Sequence, residues 1–353
     1  MNIRAKAPLR ISFAGGGTDV SPYPETYGGC VLNATIDCFA WGSLRPRPDK
    51  RIGIESADLG LQVEFAADQE VLMDGTLDLA KAALRRLQAL NSHGFDIFLQ
   101  SDAPPGSGLG SSSALVVTLV GLVREFRGMP MGSYEVAEAA YLIERKDLQV
   151  NGGLQDQYAA AFGGFNFMEF EKDAVIVNPL RVHRSTVNEL EHNLLLCYTG
   201  RTRRSDHIID DQTSRFISAK QDTLDGLRSQ KELAVAMKNA LLTNRLPYFG
   251  DLLDSAWQAK KKMSDRISNP QIDELYEVAR KAGALGGKIT GAGGGGYMMF
   301  YCEFEKKHKV AERLRSLGAV PTEFAFETDG LQTWRTPVAD PAGIAGRESI
   351  LQL

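Results

Sequence analysis

Pro104-Pro105-Gly106-Ser107-Gly108-Leu109-Gly110-Ser111-Ser112-Ser113-Ala114 is the stretch on which the reading of this chain turns. Residues 96–101 before it read as a strand, and residues 114–126 after it are apolar nearly all round, which predicts a buried helix. A loop of glycine and serine between such elements offers bare backbone N–H groups and the positive end of a helix dipole, the means by which chains cradle phosphates. The hydroxyls of Ser111, Ser112 and Ser113 can cap the helix, contact phosphate or ligate magnesium. No Lys-Ser or Lys-Thr follows the last glycine, so this is not a Walker A loop. Phosphate charge would then be met by magnesium and by groups from elsewhere. The plain structural alternative is a flexible turn ahead of an N-capped helix.

Two more glycine clusters flank this one. Ala14-Gly15-Gly16-Gly17-Thr18-Asp19 follows an apolar stretch that contains Arg10; glycines there let the backbone turn tightly and let a ligand approach. A carboxylate and a guanidinium near that loop suit sugar hydroxyls and anionic oxygen. Gly291, Gly293 and Gly296 formally satisfy a dinucleotide-binding pattern, but residues 297–302 read as a strand where that motif needs a helix. Small residues between two strands instead make a loop able to close over an anion or a sugar. Between the clusters stand Glu144, near the end of a helix expected to be capped by Ser133, and Asp156, after the break at Gly152-Gly153. Phosphoryl transfer needs such a pair, one carboxylate for the metal on the nucleotide and one for the proton of the attacking hydroxyl. Taken singly, each is an ordinary surface acid.

Composition narrows the classes. The length of 353 residues suggests about two domains. With 40 Lys and Arg against 44 Asp and Glu there is no basic surplus, which argues against a nucleic-acid binder. The 4 Cys form no C-x-x-C pair and read as reduced thiols, and the 5 His have no metal-ligand spacing. No signal-peptide core or membrane-spanning run is visible, so the expectation is a cytoplasmic protein without a membrane partner.

Short strands are expected over 30–36, 38–44, 51–55 and 61–65, then a helix near 79–90 with Gly94 as its C-terminal cap. A hairpin follows at 165–170 and 174–177, and a buried strand at 194–198. Residues 206–265 read as amphipathic helix broken near 244–247. Asn269-Pro270 starts a helix that Gly283 ends, and strands at 285–290, 297–302 and 322–326 surround a helix at 305–317.

These motifs together resemble the GHMP small-molecule kinases, which include galactokinase, homoserine kinase and mevalonate kinase; the matches lie near 8–22, 104–114, 144–157 and 288–296. The resemblance implies an α+β, two-domain GHMP kinase fold. Residues 1–190 would form a nucleotide- and magnesium-binding domain like the second domain of ribosomal protein S5. Residues 191–353 would form a ferredoxin-like domain carrying the 291–296 loop. It implies ATP and Mg2+, with Pro105, Gly106, Ser107, Gly108, Leu109, Gly110, Ser111, Ser112 and Ser113 around the nucleotide and Ser112 with Glu144 on the metal. Asp156 would take the proton, with Arg10 beside it.

Arg10 to Asp19 is similar to the sugar motif of galactokinases, with Gly16-Gly17 where those carry Glu-His, which points away from galactose. Asp19, Gly16, Gly17, Thr18, Gly153, Gly293 and Gly294 would hold the sugar. The acceptor implied is D-glycero-D-manno-heptose 7-phosphate, phosphorylated at its anomeric hydroxyl in activated-heptose synthesis for surface polysaccharide. Arg201, Arg203 and Arg204 would hold its remote phosphate. A free sugar such as L-fucose, or a sugar and ATP sensor without catalysis, are the alternatives.

Overall fold

A computed structural model describes residues 1–90, 93–202 and 206–337; Arg203 and Arg204 lie outside them. The elements run, in order, β1 (Asn2–Ala14), α1 (Tyr23–Tyr27), β2 (Gly29–Pro46), β3 (Arg51–Ser56), β4 (Leu61–Ala66), α2 (Asp78–Arg86), β5 (Phe95–Ser101), α3 (Ser111–Arg127) and α4 (Ser133–Tyr141). They continue with α5 (Gln155–Phe162), β6 (Phe165–Phe170), β7 (Val175–Pro179), α6 (Arg184–Asn193), β8 (Leu194–Tyr198), α7 (Asp206–Ile217), α8 (Gln221–Leu242) and α9 (Leu246–Met263). Last come α10 (Pro270–Ala282), β9 (Ala284–Ile289), β10 (Tyr297–Cys302), α11 (Lys307–Arg315), β11 (Val320–Thr322) and β12 (Gln332–Thr336).

Two sheets result. The larger has the order β12-β1-β2-β5-β3-β4, with β6 and β7 continuing from the first half of β2; the smaller is β11-β8-β10-β9. Helix α3 is buried over most of its length against β1 and β2, as an all-round apolar helix must be. Helices α8 and α9 contribute Met237, Phe249 and Leu253 to the same core as β1 and β2, and α9 also packs on β9, so the two sheets are joined through shared packing. The α+β, two-domain architecture is as expected. The division at 190/191 is crossed near the end of the chain: residues after β11 bridge Ile36 through Phe326, and β12 then pairs with β1.

Several local expectations change. Residues 30–36 and 38–44 lie in one strand, irregular where Pro8 pairs with Phe39 and Leu9 with Ile36, because proline has no N–H to continue the ladder. Helix α2 stops before Leu87, and Gly94 is no cap; its carbonyl instead accepts from the Arg47 N–H ahead of β5. Ser133 is the first helical residue, while Gly132 is the cap, its N–H held by Glu135. Helix α4 then runs on into a π-helical turn, Leu142–Asp147. The 206–265 region breaks a second time after Ile217. The strand expected at 322–326 is replaced by β11, because residues beyond it leave for the larger sheet.

Candidate active site

Two strands set the floor of the main cleft. Arg10 and Ser12 are two residues apart on β1 and so share a face; Lys288 and Thr290 do the same along β9 and its exit. All four line the cleft. The strands are tied at two levels. Arg10 Nη1 and Thr290 Oγ1 both donate to the carbonyl of Gly108, at 2.7 and 3.1 Å, while Lys288 Nζ donates to the carbonyl of Ser12 at 2.6 Å. The glycine-serine loop is therefore clamped by both sheets at one point. The loop at 291–296 closes on it directly: Tyr297 N–H bonds the Ser107 carbonyl at 2.9 Å, and a Cβ on Gly296 would fall 2.2 Å from that same oxygen. Only glycine allows this approach, at a φ of +85°.

Asp156 stands in the first turn of α5, and Arg10 Nε reaches its Oδ1 at 2.7 Å. Arg10 is nearly buried and the Asp156 side chain is 21% exposed, so the pair opens to the cleft through the carboxylate. On the other side of the loop, Glu144 sits in the π-helical turn and is 2% exposed. Ser112 Oγ donates to its Oε1 at 2.8 Å; Ser113 Oγ and Gln157 Nε2 donate to its Oε2, each at 2.7 Å. Arg145 Nη1 lies 3.3 Å from Oε1. A buried carboxylate is sustained here by a full set of donors.

Asp19 closes the sugar-motif loop. Its Oδ1 accepts from the Gly17 N–H at 2.9 Å, and Oδ2 accepts from the Gln155 N–H and Nε2, both at 3.2 Å. Gly153 is pressed against it: a Cβ there would lie 1.9 Å from Oδ2. Burial pushes the Asp19 carboxyl above the usual carboxylate value, opposed by the Gly17 hydrogen bond and reinforced by the Asp156 charge. Lys288 moves oppositely: burial, with Lys260 and Arg10 nearby, holds its amine well below the usual lysine range.

Comparison with known proteins agrees with this geometry. Residues 78–164 match the family described as GHMP kinases N terminal domain, and residues 237–320 match GHMP kinases C terminal. The D-glycero-alpha-D-manno-heptose 7-phosphate kinase of Campylobacter jejuni subsp. jejuni serotype O:2 is 38% identical over 94% of this chain and 99% of its own. This chain belongs to the GHMP kinases. Among solved GHMP kinases, a D-glycero-D-manno-heptose 1-phosphate kinase from Bacteroides thetaiotaomicron is 37% identical, with a TM-score of 0.81 over 95% of this chain and 100% of its own. The L-fucokinase/L-fucose-1-P guanylyltransferase of Bacteroides fragilis is 28% identical over 88% of this chain, which spans 35% of that protein.

As a GHMP kinase the chain is a phosphotransferase acting on a hydroxyl, and the cleft gathers much of what the sequence singled out. Arg10, Gly16, Gly17, Asp19, Gly106, Gly108, Gly110, Ser111, Ser112, Ser113, Glu144, Gly153 and Asp156 all line it. Others do not. Pro105 faces solvent, while Ser107 and Leu109 are buried beneath the loop. Thr18 is fully buried, its hydroxyl donating to the carbonyls of Gly15 and Cys30, so it braces the loop. Gly293 and Gly294 turn toward Ile267, whose carbonyl accepts from the Gly294 N–H at 2.6 Å. Arg201 is exposed, and its carbonyl accepts from the Gly296 N–H of the third loop.

Sequence reading missed Lys288, Lys260, Ser12, Arg145 and Gln155 on the walls of the cleft. Lys288 carried a usable signal, since it stands two residues before Thr290 in a strand leading to a glycine loop. Lys260 carried none, being one of three consecutive lysines on α9.

Proposed function

We propose that this GHMP kinase transfers the γ-phosphoryl group of ATP to the anomeric hydroxyl of D-glycero-D-manno-heptose 7-phosphate, giving the 1,7-bisphosphate. The observation that carries the reading is Asp156, pinned by Arg10 beside the glycine-serine loop with its carboxylate open to the cleft. The acceptor oxygen bonds to the γ-phosphorus as the bond from that phosphorus to the β–γ bridging oxygen breaks. ADP leaves, and the hydroxyl proton passes to the carboxylate of Asp156. Arg10 holds that carboxylate in place and puts positive charge near the reacting group. Backbone N–H groups of the loop and the start of α3 orient the phosphates.

The residues present fit magnesium. Ser112 Oγ and Glu144 Oε1 are hard oxygen donors 2.8 Å apart on the cleft wall. Magnesium takes one or two carboxylates and completes its shell with phosphate and water, so a larger acidic cluster is not required. When bound, the ion neutralises charge on the nucleotide phosphates. Asp19, braced by Gly17 and Gln155, would accept from the sugar hydroxyls.

An ADP-release assay with magnesium and ATP tests the reading against heptose 7-phosphate, heptose 1-phosphate, free heptose and L-fucose. Turnover led by heptose 7-phosphate is expected. Turnover led by free L-fucose would replace the sugar assignment, and none on any acceptor would favour a non-catalytic sensor.

A further inference from the structure

The cations of the cleft are not equivalent. Arg10 is met by Asp156 and Arg145 by Glu144. Lys288 is 2% exposed, yet its amine bonds a neutral carbonyl, that of Ser12, and it has no carboxylate partner among the described residues. Lys260 of α9 is 5% exposed and lines the same cleft. Between them and the sugar-motif loop, Ser12 is 3% exposed and its Oγ is buried with no hydrogen-bond partner among the described residues. A Cβ built on Gly16 would stand 3.5 Å from that oxygen, so the hydroxyl faces the sugar loop.

A buried ammonium without a carboxylate partner, as in Lys288, and a buried hydroxyl without any partner, as in Ser12, are costly and persist where a ligand completes them; Lys260 adds a second buried cation on the same wall. We infer that Lys288, Lys260 and Ser12 form the subsite for a phosphate group already carried by the acceptor. The inference rests on the proposed sugar-phosphate reading and adds where that phosphate sits. Position supports it. Arg10 and Thr290 meet at the nucleotide loop, whereas Ser12 and Lys288 meet two residues further along β1 and back along β9, about 7 Å away. That offset leads from the reacting hydroxyl toward the Asp19 loop, and it is comparable to the reach across a sugar ring. The burial that now disfavours charge on Lys288 makes a dianion there more favourable, because opposite charge restores the ammonium form. Arg201 offers no such geometry, being exposed and tied, among the described residues, through its backbone carbonyl.

The test compares heptose 7-phosphate with free heptose as acceptors for wild type, Lys260→Met, Lys260→Arg, Lys288→Met and Ser12→Ala. Each of the two methionine variants should raise KM for the phosphorylated sugar at least about tenfold, as loss of one charged hydrogen bond does. KM for ATP and for free heptose should stay within about twofold by the same scale. Lys260→Arg should recover most of the loss. Ser12→Ala keeps the carbonyl that Lys288 uses and removes only the unpartnered hydroxyl, so it should fold as wild type and raise the sugar-phosphate KM alone; it decides the matter if Lys288→Met does not fold. Equal losses on both sugars would overturn the subsite, as would an unchanged preference in these variants with loss in Arg203→Ala or Arg204→Ala. Inorganic phosphate binding by calorimetry with ADP saturating separates this inference from the substrate assignment. If wild type fails to phosphorylate heptose 7-phosphate yet binds phosphate through Lys260 and Ser12, the anion subsite stands and the sugar assignment falls. If the Lys260→Met and Ser12→Ala variants bind phosphate as wild type does, the subsite falls.

Discussion

Arg10 Nε and Nη2 both lie 2.7 Å from Oδ1 of Asp156, and Oδ2 has no partner among the described residues. One oxygen of the carboxylate fixes its direction, on a residue that lines the cleft, and the proposed proton transfer would use the other. Asp156→Asn should therefore fold and bind ATP like wild type and lose at least about 100-fold in kcat, the scale of general-base removal. Steady-state kinetics beside a thermal melt checks it; near-native kcat would remove Asp156 from the proton transfer.

Ser112 and Glu144 are expected to act as a unit. Ser112→Ala and Glu144→Gln should each weaken the magnesium dependence of turnover, and the double variant should lose less than the sum of the two. Additive losses in the cycle, with magnesium dependence unchanged in each single variant, would assign them to separate tasks.

Glu144→Ala carries a stability consequence of its own. It strips the acceptor from the buried Ser113 hydroxyl and one of two acceptors from the buried Gln157 Nε2, which also donates to Ser113 Oγ at 3.1 Å. A buried donor left unsatisfied costs about 1–3 kcal/mol. Urea denaturation should show a loss in that range or above, and Ser112→Ala, whose hydroxyl meets only Oε1, should show less.

The packing of Gly153 on Asp19 predicts a selective defect. Gly153→Ala puts a methyl where Asp19 Oδ2 now lies, an overpacking that costs about 1–3 kcal/mol. KM for the sugar should rise while KM for ATP holds. A parallel rise in both would mean that the displacement spreads to the glycine-serine loop.

Asp19 also has a pH signature. Its carboxyl titrates above the ordinary value of 3.8 in the folded chain, so folding binds a proton between the two values. Its contribution to stability is full below the unfolded value and is lost as pH rises through the elevated folded one. The margin by which wild type outlasts Asp19→Ala in thermal melts should be widest at acid pH and narrow toward neutrality. A margin that widens with pH would reverse the assignment.

What the sequence made legible was local. The strand, glycine-serine loop and buried helix around residue 110 could be read because composition and period agree there. Asp156 and Glu144 were found as a pair through the demands of phosphoryl transfer and the family resemblance. The burial of Lys288 and Lys260 was not legible, since a lysine on a strand or in a run of three shows its environment only once other elements pack over it. Motif membership alone points Thr18, Gly293 and Gly294 toward a ligand, whereas their nearest neighbours in the fold are Gly15, Cys30 and Ile267. The π-helical turn bearing Glu144 left no periodic trace.

The pairing of Asn2 with Thr336 and Lys6 with Gln332 sets a timetable for the growing polypeptide. A ribosome releases β1 first and β12 more than three hundred residues later. Throughout translation of the intervening chain, one flank of β1 has backbone N–H and C=O groups without their final neighbour, the kind of open edge that recruits strands from other molecules. The larger sheet is thus closed only after every strand between β1 and β12 has been made, and a nascent chain arrested before Gln332 would carry the glycine-serine loop and both carboxylates on a sheet still one strand short.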